Sequence, residues 1–80
     1  MKLIPCIIID DNEIDRLTVS SFVNRSAAFQ LVGVFDNALD AIPVLEKEKV
    51  EVLFLDIDMP NMNGIDFRKI AKDVPICIFI

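Results

Sequence analysis

The length, composition and charge of the chain exclude several classes of protein. The sequence has 80 residues, 54% of them hydrophobic, and its 13 acidic and 8 basic residues give a net charge of −5. This composition is typical of one small globular domain and excludes disordered and collagen-like chains. The acidic balance argues against a nucleic-acid-binding surface in this stretch, because such surfaces are basic. No apolar run approaches the ~20 residues that a membrane helix needs, so we expect no membrane contact.

The cysteines and the N-terminus indicate a cytoplasmic location. Cys6 and Cys77 lie inside apolar runs rather than in a spaced framework, so we interpret them as reduced core thiols, as is usual in the cytosol. The N-terminus carries only Lys2 before its first apolar run, and no secretory signal peptide is recognised.

The first predicted elements are a buried strand and a helix. Residues 3–9 are apolar and rich in β-branched side chains, a pattern that predicts a strand buried on both faces. Asp11 or Asn12 is suited to cap the helix that follows. The side chains expected to face the core from this helix are Ile14, Leu17 and Phe22.

A second strand and helix are predicted in the middle of the chain. Residues 31–35 form a weaker strand pattern, and Asn37 is suited to cap the next helix. Its expected core-facing side chains are Leu39, Ile42 and Leu45. Pro43 falls inside this helix and predicts a kink or a late start, because proline removes a helical hydrogen bond.

The remaining elements complete an alternating pattern. Residues 51–55 and 75–80 read as two further strands buried on both faces, and a helix is predicted to begin after Gly64. The residues expected in this third helix include Ile65, Phe67, Ile70 and Ala71. Strands that alternate with helices predict an α/β fold with a parallel sheet and right-handed crossovers.

Acidic residues follow two of the predicted strands. Asp10 and Asp11 come after the first strand, and Asp56 and Asp58 come after the third. Ligands of open parallel sheets bind outside the carboxyl ends of the strands. If these two strands are neighbours, the carboxylates converge, and oxygen ligands of this kind suit Mg²⁺. Alternatively, the Asp10–Asp11 pair is only a helix cap.

The motifs around these aspartates resemble a known family. The runs IIIDD at 7–11 and LFLDIDMP at 53–60, with Gly64 beyond them, resemble the receiver domain of bacterial two-component response regulators. The segment LVGVFDNALDA at 31–41 resembles receivers that precede a LytTR-type DNA-binding domain. The resemblance implies a flavodoxin-like, doubly wound parallel sheet, here incomplete (βαβαβαβ) with strand order 2-1-3-4.

The resemblance also implies a role for each acidic residue. Asp56 would be the phosphoacceptor, a carboxylate that attacks the phosphorus of a phosphohistidine on a sensor histidine kinase. Mg²⁺ would be the cofactor. Asp11 would bind it directly, Asp10 would act largely through water, and Asp56 would also belong to the metal site. The backbone carbonyl of Asp58 would supply a further ligand.

The resemblance has consequences for the rest of the chain. Pro60 and Gly64 would shape the loop beyond the acceptor, although an ordinary turn explains them equally well. The family places a hydroxyl residue after the fourth strand and a lysine after the fifth, and the sequence stops at Ile80 before both. Residues 1–80 would therefore be the N-terminal portion of a receiver domain, lacking the final helix-strand-helix. The exposed edge of the fourth strand would then favour self-association.

The expected biological role is regulatory rather than enzymatic. A receiver controls an output domain, and DNA would be contacted only through such a domain, for transcription regulation. Two alternatives remain open. One is a receiver-like interaction module that is never phosphorylated. The other is a phosphatase of the haloacid-dehalogenase type, because Asp56-Ile57-Asp58 has its Asp-x-Asp pattern, although that family carries the motif on its first strand.

Overall fold

A parallel sheet of four strands forms the centre of the molecule. The fold is that of a computed structural model, which describes residues 2–56, 67–69 and 71–80. The strands are β1 (Ile4–Ile9), β2 (Phe29–Phe35), β3 (Val52–Leu55) and β4 (Ile76–Phe79). Their order across the sheet is β2-β1-β3-β4, and every neighbouring pair is parallel. The predicted α/β class and the 2-1-3-4 order are therefore confirmed.

Helices cover both faces of this sheet, because the side chains of a strand alternate between the two faces. Cys6 and Ile8 of β1 belong to a core layer beneath the first helix, α1 (Glu13–Arg25). Ile7 and Ile9 belong to the opposite layer, beneath the second helix, α2 (Ala38–Lys47). All four side chains are fully buried, which explains why β1 is apolar at every position.

The cap of α1 is where the sequence predicts it, but its apolar face is not. The side chain of Asn12 accepts a hydrogen bond from the Asp15 N–H and caps the helix. The prediction that Ile14, Leu17 and Phe22 face the core is wrong, because these side chains are 63–73% exposed.

The contact between α1 and the sheet is made by smaller side chains. Val23 is fully buried, and Val19, one turn earlier, packs against the same layer. Residues four apart share one face of a helix, so these two valines orient α1. Ile14 and Leu17 then lie on the opposite side of the helix.

Helix α2 also departs from its predicted pattern. Asn37 is the N-cap, and its side chain accepts a hydrogen bond from the Asp40 N–H. The helix begins directly at Ala38 and includes Pro43, so the late start is wrong. Ile42 and Leu45 pack against the core as expected, but Leu39 is 60% exposed. The residues that face the sheet in the first turn of α2 are the buried alanines 38 and 41.

The third helix is described only in part. Residues 67–69 are helical, and the Ala71 N–H donates to the Phe67 carbonyl at 2.9 Å. Phe67 is fully buried and Ala71 nearly so, and both pack in the layer beneath α2. The predicted start of this helix after Gly64 lies outside the described residues.

Strand β4 is much more exposed than its apolar pattern predicts, and it has the exposed edge that the family resemblance implies. Residues 75–80 are apolar throughout, yet Ile76, Ile78 and Phe79 are 41–52% exposed. Among the described residues, β4 pairs only with β3 and therefore lies at the edge of the sheet. Helix α1 packs over β2 and β1 rather than over β4. This leaves Ile76 and Ile78 exposed, because they lie on the face of the sheet that α1 covers elsewhere.

The two cysteines do not form a disulfide. Cys6 lies opposite Val52 of β3, and Cys77 of β4 lies opposite Leu53, so β3 separates the two strands that carry them. Both thiols are free, as the strand order predicts. Burial raises the pKa of the Cys6 thiol and also that of Cys77, where the nearby Arg68 guanidinium partly opposes the shift.

Among the described residues, no helix combines the length and the apolar character that a membrane span requires.

Candidate functional site

Two strand ends bring acidic side chains together at one edge of the sheet. Ile9, the last residue of β1, lies opposite Leu55, the last residue of β3, and each is followed by an aspartate, Asp10 and Asp56. The Asp56 N–H donates to the Ile9 carbonyl at 2.9 Å. The ladder of the sheet therefore continues to the point where the acidic residues begin.

Three carboxylates form a tight group at this edge. One carboxylate oxygen from each of Asp10, Asp11 and Asp56 lies within 4.8 Å of the others. Asp10 is buried, Asp56 is partly buried and Asp11 is exposed. Three negative charges at this separation repel one another, more strongly where burial lowers the effective dielectric constant. A hard cation with oxygen ligands relieves that repulsion, so the donor set fits Mg²⁺.

Asp10 is the most constrained of the three. It is only 2% exposed, its N–H donates to the Phe35 carbonyl at 3.1 Å, and its Oδ1 accepts from the Asn12 N–H at 2.9 Å. The alternative reading of the Asp10–Asp11 pair as the cap of α1 is not what the structure shows, since Asn12 is the cap. Asp10 instead fixes the turn that leads from β1 into the helix.

Arg16 is a residue of this site that sequence reasoning missed. Its Nη1 donates to the backbone carbonyl of Asp10 at 2.9 Å, from the first turn of α1. The available signal was a basic residue one helical turn beyond the Asn12 cap, which places its side chain near the loop that precedes the helix.

The other residues predicted for the site are not placed. Asp58, Pro60 and Gly64 lie outside the described residues, so the structure brings together Asp10, Asp11 and Asp56 from the predicted set. Asp56 has an interaction of its own besides this grouping.

The chain matches a known protein family and a curated relative. A family model described as the response regulator receiver domain matches residues 6–79. A response regulatory protein from Shewanella oneidensis is 33% identical over 64 residues, which are 80% of this chain and 27% of that protein.

Solved structures show the same architecture. The response regulator domain of Thermotoga maritima CheB is 29% identical with a TM-score of 0.83, over 98% of this chain and 60% of that one. The isolated REC domain of RcsB from Salmonella enterica serovar Typhimurium, solved in the presence of phosphomimetic BeF₃⁻, is 25% identical with a TM-score of 0.83. That match covers 98% of this chain and 61% of the RcsB chain. The chain thus spans about a quarter of the Shewanella protein and about three fifths of these two structures.

Proposed function

The chain belongs to the response regulator receiver domain family, and we propose that Asp56 is its phosphoacceptor, with Mg²⁺ as cofactor. The observation that carries this proposal is the group of three carboxylates at the carboxyl ends of β1 and β3. The donor of the phosphoryl group to Asp56 would be a phosphohistidine of a sensor histidine kinase. The phosphomimetic BeF₃⁻ in the RcsB structure supports a phosphorylated state for a relative at 25% identity.

The proposed transfer is a displacement at phosphorus. A carboxylate oxygen of Asp56 forms a bond to phosphorus as the bond between phosphorus and the histidine nitrogen breaks, and the imidazole leaves with the electron pair. Asp56 follows the fully buried Leu55 and its N–H is bonded to β1, so the sheet holds the nucleophile in position. Catalysis of phosphoryl transfer consists largely of such positioning and of charge neutralisation.

Burial and hydrogen bonding support different roles for the proposed metal ligands. Mg²⁺ supplies neutralisation of the phosphoryl oxygens when it is bound. Asp11 is exposed and would bind it directly together with Asp56, whereas Asp10 has one oxygen engaged by Asn12 and would act largely through water. The backbone carbonyl of Asp58 would be a further ligand.

The wider role is part of the same proposal. Phosphorylation of Asp56 would regulate an output domain that binds DNA and controls transcription. The protein would act in the cytoplasm. The described chain would be a phosphoacceptor module rather than an enzyme. A haloacid-dehalogenase-type phosphatase is not proposed, because the Asp-x-Asp pattern follows β3 rather than the first strand and the family match is to receivers.

We expect Mg²⁺ to stabilise the folded full-length protein. A ligand that binds only the native state at 100 times its dissociation constant adds about 2.7 kcal/mol to the free energy of unfolding. Thermal melts with and without millimolar Mg²⁺ measure this effect, and the midpoint should rise by several degrees in the wild type. Asp11→Asn should remove most of the rise, because it removes an exposed ligand.

The control for this measurement is a matched substitution. Asp73→Asn makes the same change at an exposed aspartate just before β4, outside the acidic group, and should retain the full effect of Mg²⁺. A wild-type midpoint that does not respond to Mg²⁺ would contradict the proposed metal site, and an equal response of Asp11→Asn would remove Asp11 from it.

We further propose that residues 1–80 are the N-terminal portion of a receiver domain and that the 80-residue chain self-associates through β4. The support is the incomplete coverage of the CheB and RcsB structures, together with an edge strand whose apolar side chains are exposed. An unprotected edge of this kind pairs readily with another chain. Light scattering should therefore give a mass of a dimer or larger.

Two lysine substitutions locate this interface. Ile78→Lys places a charge on the edge strand, whereas Ile14→Lys places it on the exposed side of α1, at a residue that is 73% exposed. Ile78→Lys should shift the chain towards monomer, and Ile14→Lys should not. A wild-type chain that remains monomeric at high micromolar concentration would refute the proposal.

A further inference from the structure

The guanidinium of Arg16 reaches back from α1 to the end of β1. Its Nη1 donates to the backbone carbonyl of Asp10 at 2.9 Å, across six positions of sequence, and the contact is partly buried. We propose that Arg16 is a positioning residue that sets the relative orientation of the Asp10 and Asp11 carboxylates for binding a divalent cation. This inference rests on the metal site of the proposed function.

The geometry of the peptide unit makes this single bond consequential. The carbonyl of Asp10 and the N–H and Cα of Asp11 lie in one rigid plane. A donor fixed on that carbonyl therefore also restrains the direction in which the Asp11 side chain leaves the backbone. Asp11 is exposed, so burial contributes little to holding its carboxylate near those of Asp10 and Asp56.

The other contacts of Asp10 do not perform this task. Its N–H is bonded to Phe35 of β2, and its Oδ1 is bonded to the Asn12 N–H. The first contact holds the peptide that precedes Asp10, and the second holds the Asp10 side chain. Arg16 holds the following peptide, and a charged donor makes a stronger hydrogen bond than a neutral one.

The positive charge of Arg16 allows a positioning role to be distinguished from a purely electrostatic one. Arg16 donates its hydrogen bond at this site to a backbone carbonyl. Its positive charge opposes a bound cation electrostatically. Electrostatics alone would therefore make Mg²⁺ bind more tightly after the charge is removed, whereas loss of positioning makes it bind more weakly.

Calorimetric titration of the full-length protein with Mg²⁺ distinguishes these signs. Arg16→Gln should raise the dissociation constant about tenfold, as loss of a residue that orients a metal ligand typically does. Arg25→Gln removes the same charge from the last turn of the same helix and should leave the dissociation constant unchanged. Unchanged or tighter binding by Arg16→Gln would overturn the proposal.

A second variant and a second signal separate positioning from general stability. Arg16→Lys keeps the charge on a side chain one atom shorter, so its dissociation constant should lie between those of the wild type and Arg16→Gln. In the metal-free protein, the NMR shift of the Asp11 amide should move in both Arg16 variants and not in Arg25→Gln, because that amide shares the peptide unit that Arg16 restrains. An unmoved Asp11 amide would overturn the inference while leaving the proposed function intact. A wild type that binds no Mg²⁺ would overturn both.

Discussion

Asp56→Asn should abolish phosphorylation of the full-length protein by a small-molecule phosphodonor in the presence of Mg²⁺. The substitution preserves the shape of the side chain but replaces the nucleophilic carboxylate oxygens with an amide. Because the N–H of residue 56 bonds to the Ile9 carbonyl through the backbone, the strand geometry should survive the change. Intact-mass spectrometry should show one added phosphoryl group on the wild type and none on the variant.

Two further variants show whether the loss is specific. Asp73→Asn makes the same change at an exposed aspartate outside the acidic group and should be labelled like the wild type. Asp11→Asn retains the acceptor but lacks a proposed metal ligand, so its labelling should be slow and respond weakly to Mg²⁺. Undiminished labelling of Asp56→Asn would place the acceptor elsewhere, with Asp11 as the first residue to test.

Leu53→Ala should be the more damaging of two matched leucine substitutions. Leu53 lies in β3, is fully buried, and belongs to the core layer beneath α2. Removal of a buried leucine side chain costs about 3–5 kcal/mol through lost burial and the remaining cavity. That is a large fraction of the ~5–15 kcal/mol that stabilises a typical domain. Chemical denaturation of the full-length protein measures the difference.

The matched substitution is Leu39→Ala in the first turn of α2. Leu39 is 60% exposed, and exposed substitutions change the free energy of unfolding by about 0.5 kcal/mol or less. The sequence pattern assigns both leucines to the core, so the pair also tests the orientation of α2. Similar losses in the two variants would mean that Leu39 is buried and that the helix is rotated relative to this structure.

The strands were predictable because their physical signal is strong. Buried parallel strands are apolar on both faces, and β1 and β3 each stand out as short apolar runs that end at an aspartate. The alternation of strands and helices also predicts parallel pairing. It does not specify which strands are neighbours, and the pairing of β1 with β3 came from the family resemblance.

The helix orientations were less predictable because apolar residues lie on more than one side. In α1, the large side chains Ile14, Leu17 and Phe22 suggested a core face, but the smaller Val19 and Val23 form it. Side-chain size was therefore misleading in the sequence. In the structure, the sheet accepts a pair of β-branched residues one turn apart and leaves the larger ones exposed.

The acidic site was predictable for its carboxylates and not for the residue that orients them. The grouping of Asp10, Asp11 and Asp56 follows once β1 and β3 are neighbours. The Arg16 contact depends on a side-chain rotamer and on the angle at which α1 leaves β1. Neither quantity is encoded in a local sequence pattern, so the hydrogen bond to the Asp10 carbonyl became visible only in the structure.

Direct localisation of the phosphoryl group on the wild-type protein shows whether Asp56 is the phosphoacceptor. After incubation with a phosphodonor and Mg²⁺, the acyl phosphate is reduced with borohydride, and the modified residue is identified by tandem mass spectrometry of the peptides. We expect a single modified residue, Asp56, and no modification when Mg²⁺ is removed by a chelator. Modification of Asp10 or Asp11 instead, or labelling of Asp56 that does not depend on Mg²⁺, would contradict this expectation.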